Sequence, residues 1–94
     1  MSGEKIIAAI LSRVAELNTN CTSWHIGLTH EPNKCKTYWK KTENENVSYW
    51  TQWQAVSFSD AQYIERYFIS EKGMEAGGTD EELSPKKAVF VYIF

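Results

Sequence analysis

Apolar residues recur along this chain with two different periods, and the period alternates from segment to segment. Over residues 4–17, Ile6, Ile7, Ile10, Leu11, Val14 and Leu17 return every three or four positions, the spacing of one helix face. Glu4 near the start and Arg13 nearer the end suit the helix dipole, and Asn18, Thr19 and Asn20 stop the run. Such a stripe ordinarily packs a helix on a sheet. Over residues 22–29 the period falls to two. Trp24, Ile26 and Leu28 take one face of a predicted strand, and His25 and Gly27 take the other. A glycine inside a strand marks close approach by another group. After a turn at residues 30–33, Pro32 opens a short helix that runs to about Lys41. Residues 42–48 are polar and read as a loop. Alternation returns over residues 49–58, with Trp53 and Ala55 set against Gln52 and Gln54.

The next helix is the clearest, and it carries one misplaced charge. Ser59 followed by Gln62 predicts a capping box. At about 100° per residue, Ala61, Ile64, Tyr67, Phe68 and Ile69 form an apolar arc, and Glu65 falls inside it, between Ala61 and Ile69. A carboxylate placed there needs a cation, a metal or a donor to offset its desolvation. Gly73 is a natural left-handed cap. Residues 74–85 read as a flexible loop with Gly77 and Gly78, acidic at Asp80, Glu81 and Glu82. Residues 88–94 are apolar without a break and rich in β-branched and aromatic side chains, which predicts a central strand covered on both faces. The order is α-β-α-β-α-β. That gives an α/β (α+β) fold in one small domain over residues 1–94, with about three strands packed by helices.

Composition sharpens this picture in three places. The 94 residues are 43% hydrophobic and 14% aromatic, which is ample for a packed core and excludes disorder over most of the chain. The aromatic surplus points to some rings on a working surface. A formal net charge of -2 leaves no global electrostatic signature for nucleic acid. Charge is nevertheless clustered. Lys34, Lys36, Lys40 and Lys41 run with no acid between Glu31 and Glu43, and Tyr38 and Trp39 lie among them. Phosphate binding with base stacking uses that combination, and a solvated helix face has the same composition. Two cysteines and two histidines without ligand spacing exclude an ordinary zinc site and read as reduced thiols. The apolar stretch at residues 6–11 is too short and too amphipathic for a secretion signal, with Arg13 and Glu16 following on a helical period, and no stretch has the length of a membrane span, so the expected setting is cytoplasmic. His25 reads either as an ordinary hydrogen-bonded histidine or as an acid, base or phosphate donor.

His25-Ile26-Gly27, together with Ala61 and Glu65, resembles the GIY-YIG nuclease family. The family's second motif is a strand ending Tyr-Ile/Val-Gly, and a later helix carries Ala-x-x-x-Glu. The likeness spans residues 24–72. The family's opening Gly-Ile-Tyr strand has no counterpart ahead of His25. Residues 89–93 would supply it by circular permutation, with Tyr92 in the first-motif tyrosine's place. The family's Arg, eight residues after the Gly, is Cys35 here, flanked by Lys34 and Lys36. The resemblance implies Mg²⁺ on Glu65, His25 or Tyr92 activating water, and Lys34 or Lys36 neutralising charge on a phosphodiester. It also implies DNA or RNA held by Lys34, Lys36, Lys40, Lys41 and Trp39. The expected function is nucleic-acid binding or weak, degenerate metal-dependent cleavage. Two other readings stand beside it. One is a non-catalytic module that binds a protein partner through exposed aromatics, with Glu65 in a structural ion pair. The other is a role for Cys35 as a thiolate favoured by its lysine neighbours.

Overall fold

The first helix, α1 (Gly3–Glu16), begins where Ser2 accepts a hydrogen bond from the Lys5 amide and buries Ile6, Ile10 and Val14. The computed structural model describes residues 2–77 and 83–94. Thr19 closes the helix onto the sheet. Its hydroxyl donates to the Val14 carbonyl at 2.9 Å and accepts the Trp24 indole N–H at 2.7 Å. A short 3-10 turn (Cys21–Ser23) then leads into β1 (His25–Thr29).

From β1 the chain crosses through α2 (Pro32–Lys41) to β2 (Thr51–Gln54), and from β2 through α3 (Phe58–Ser70) to β3 (Glu75–Ala76). The chain closes with β4 (Phe90–Ile93). The sheet order is β2-β4-β1-β3. β4 lies between β2 and β1 and is antiparallel to both, pairing Tyr92 with Gly27 on one side and with Gln52 on the other. β3 is a fourth strand, parallel to β1, in a stretch whose sequence predicts a loop. Its two residues are exposed and show no alternation. Main-chain bonds tie it to β1, from the Glu75 amide to the Trp24 carbonyl and from the Gly77 amide to the Ile26 carbonyl, and the Glu75 carboxylate meets the His25 ring.

The last strand has the environment its unbroken apolar run predicts. On one face, Val91 and Ile93 join Ile26 and Leu28 against Ile6 and Ile10 of α1 and Ala61, Ile64 and Phe68 of α3. On the other, Tyr92 and Phe94 meet Cys35 and Trp39 of α2 and Val47. Burying each large side chain stabilises the fold by about 1.5–3 kcal/mol relative to leaving it in water, so β4 ties the two layers together. Helix α3 starts earlier than Ser59 predicts. The cap is Ser57, whose hydroxyl accepts the Asp60 amide at 3.1 Å. Capping at Ser57 brings Phe58 into the helix, where it packs against the core. The C-terminal end follows expectation, with Gly73 at φ 78° and the Met74 amide bonded to the Phe68 carbonyl. No helix among the described residues is long and apolar enough to cross a membrane.

Candidate functional site

The cluster beneath α2, which includes Trp39, Trp50 and Phe94, is organised by Tyr92. Its ring lies over Gly27, where an added Cβ would sit 2.5 Å from the Tyr92 Cζ and 2.6 Å from the Gly77 carbonyl oxygen. The Tyr92 hydroxyl donates to that carbonyl at 2.6 Å and accepts the Trp39 indole N–H at 3.2 Å. Burial pushes the phenol far above its usual range, and a hydrogen bond with the Cys35 thiol adds to the shift. Tyr92 is thus a neutral, fully buried pin between α2, β1 and the segment after β3. A hydroxyl so engaged is badly placed to activate water, and Cys35 is buried against it, away from phosphate.

His25 stands at the start of β1. Its ring stacks on Phe94, with centroids 4.8 Å apart and planes 5° from parallel. Its Nε2 lies 2.8 Å from the Glu75 carboxylate, which the β1–β3 register sets directly beside it. The remaining edge of the ring faces a cleft of about 390 Å³. Trp24, His25, Phe94 and Tyr49 supply its aromatic walls, and Glu45 and Asn46 lie on its rim. Pockets of this size and character suit small planar groups. A second depression, of about 290 Å³, is lined by Lys36, Lys40 and Ser48 and shares Glu45 and Asn46 with the first. The Glu45 amide is anchored to the Trp39 carbonyl at 3.0 Å, and Asn46 accepts the Ser48 amide through Oδ1 at 3.0 Å. That leaves the Asn46 side-chain N–H₂ as an available donor between the two hollows.

The four α2 lysines are all exposed, but they divide. Lys36 and Lys40, one turn apart, line the second depression. Lys34 pairs with Glu31 at 3.7 Å, and neither Lys34 nor Lys41 lines either hollow. Trp39 is only 8% exposed, so its ring is closed to a nucleobase. The accessible aromatic beside the lysines is Tyr49, 51% exposed. Most of the aromatic surplus is core: among the aromatic residues, only Tyr49 and Tyr63 are exposed. Nothing in a polar loop signalled the part played by Glu45 and Asn46. The clue available was a tyrosine following an Asn-rich turn beside a lysine run.

Glu65 lies on the flank of α3 away from Asp60, whose side chain abuts Gly3 of α1. Desolvation raises its carboxyl above the ordinary value, and the Arg66 guanidinium partly offsets this. The carboxylate makes no ion pair or hydrogen bond with a described residue. It lines neither hollow, but its charge adds to the raised pKa of Tyr92, so it stands within electrostatic reach of that hydroxyl. Among the described residues, no group of three His, Cys, Asp or Glu is gathered for a metal ion. Asp80, Glu81 and Glu82 lie outside the described residues. No protein-family model matches the chain, and neither a curated protein nor a solved structure is detectably similar to it.

Proposed function

We propose that this domain binds nucleic acid through the Lys36–Lys40 face of α2 and the aromatic cleft beside it, and that binding, not cleavage, is its main activity. The observation that carries the reading is the adjacency of the two hollows. A cationic depression and a cleft lined by aromatic residues share Glu45 and Asn46. Lysines neutralise phosphates and give affinity that falls with salt, while ring faces hold bases without regard to sequence. The strand pairing supports the GIY-YIG-like part of the proposal. β4 runs antiparallel beside β1 with Tyr92 opposite Gly27, as a permuted first-motif strand would. The chemistry argues for weak catalysis at most. With Cys35 in the arginine position, an electrostatic donor worth about 3 kcal/mol to such a transition state is missing, and the Tyr92 hydroxyl is committed to Gly77.

The test is a binding titration with labelled oligonucleotides at two salt concentrations. Replacing Lys36 and Lys40 together by alanine should weaken binding and lower the salt slope by about 1.4, at about 0.7 per phosphate contact on single strands. No binding to any DNA or RNA at low salt would overturn the proposal.

The unpaired carboxylate of Glu65 favours a second reading, metal-assisted cleavage. Glu65 would contribute one oxygen to Mg²⁺, an ion that commonly keeps water and substrate phosphate for the rest of its shell. Bound there, the ion would polarise a phosphodiester oxygen. This reading requires Mg²⁺ to shift amide resonances around Glu65 in the wild type and not in Glu65→Gln. Identical spectra with and without Mg²⁺ would reject it.

A further inference from the structure

We infer that the aromatic cleft receives one unpaired base of a single strand, while the two phosphates flanking that base rest on Lys36 and Lys40. This rests on the nucleic-acid reading above and names its ligand. Three features of the site lead to it. One wall is an accessible ring: Tyr49 is half exposed, and the part-exposed His25 lines the same cleft. A base reaches such a surface only when its own face is free, and a paired base inside a duplex keeps that face stacked on its neighbours. The second feature is charge. The nearest cations, Lys36 and Lys40, line the adjoining hollow rather than the cleft.

The third feature is the junction. Glu45 lines both hollows, but only the α2 side sets lysines against it, so a phosphate entering the aromatic cleft would meet its carboxylate with no lysine to offset it. A base edge bearing N–H groups would instead find an acceptor there, and the free amide donor of Asn46 beside it offers a partner to a ring nitrogen or carbonyl. Repulsion on one side and attraction on the other orient the ligand, base toward Trp24 and Tyr49 and phosphate toward α2. Duplex binding through the lysines alone would use none of these groups.

The experiment measures affinity of the full chain for a mixed-sequence decamer as single-stranded DNA, as single-stranded RNA and as the DNA duplex, with adenosine monophosphate as a fourth ligand. Isothermal titration calorimetry reads each affinity. Single strands should bind at least about tenfold tighter than duplex, and Tyr49→Ala should remove about tenfold of single-strand affinity, as expected for one base–aromatic contact. The same variant should leave duplex binding unchanged. Preference between DNA and RNA identifies the sugar, and either preference is consistent with the inference. Equal affinity for single strand and duplex, with Tyr49→Ala silent while Lys36→Ala/Lys40→Ala weakens both, would overturn this inference and leave the nucleic-acid reading standing. A silent lysine pair would overturn the reading itself. A monophosphate bound as tightly as the decamer would assign the cleft to free nucleotides and overturn the strand.

Discussion

Replacing Gly27 by alanine puts a methyl where the fold has no room for one. The new Cβ would lie 2.5 Å from the Tyr92 Cζ, closer still to the Tyr92 hydroxyl oxygen, and 2.6 Å from the Gly77 carbonyl oxygen. None of these is the free end of a flexible chain. Tyr92 is fully buried, and the Gly77 carbonyl belongs to main chain tied to Ile26. Relief therefore means moving the Tyr92 ring or parting β3 from β1. Overpacking of this kind costs about 1–3 kcal/mol. Displacing the hydroxyl would also weaken its bonds to Gly77 and Trp39, at about 1 kcal/mol each. Gly27→Ala should thus lose about 3–5 kcal/mol, a large share of the 5–15 kcal/mol typical of a domain. Urea titration would read this as a fall in midpoint at constant slope, and a thermal melt as a drop of about 12–25 °C. Tyr92→Phe alone should cost about 1–2 kcal/mol through the same two bonds. Combined with Gly27→Ala it should be less than additive, because the closest clash disappears with the oxygen. A Gly27→Ala protein within 1 kcal/mol of wild type would refute the account of Tyr92 as the pin between the two layers.

Other variants check separate parts of the argument. Ser57→Ala should cost about 1 kcal/mol in a urea melt, whereas Ser59→Ala should stay within about 0.5 kcal/mol, since only the Ser57 hydroxyl caps α3. A reversed order would return the cap to the position the sequence pattern suggests. Glu65 has a raised folded-state pKa, caused first by desolvation and opposed by Arg66. The folded state therefore holds its proton more tightly than the unfolded chain, and the carboxylate's penalty develops as pH rises from the ordinary value near 4.5 through the raised one. Glu65→Gln should be more stable than wild type at pH 7, with the gap closing as pH falls through the raised value and gone below about 4.5. A variant less stable at pH 7 would show that an unseen cation or donor meets the carboxylate.

Much of this architecture was legible because it rests on local periodicity. Ile6, Ile10 and Val14 announce α1, Pro32 opens α2, Gly73 ends α3, and the apolar run to Phe94 marks a strand buried on both sides. β3 was illegible because pairing with β1, far away in sequence, creates it, and Glu75-Ala76 carries no pattern. Ser57 was missed because two serines with an acceptable cap lie two residues apart, and only tertiary packing of Phe58 decides between them. At the site, the pattern identified His25, the lysines and the odd placement of Glu65, but not their grouping. Trp39 reads as a surface ring among lysines until helix α2 turns it under the sheet. Tyr49, Glu45 and Asn46 take its place through long-range folding of a polar loop, which no short-range signal encodes.

The central claim is that nucleic acid meets the protein at the junction of the lysine hollow and the aromatic cleft. An amide NMR titration with a short single-stranded oligonucleotide at low salt tests it most directly. The account predicts shifts concentrated on Trp24, His25, Lys36, Lys40 and residues 45–49, fading as salt is raised. Shifts confined to the opposite surface around Tyr63, Arg66 and Tyr67, or no shifts at all, would contradict it.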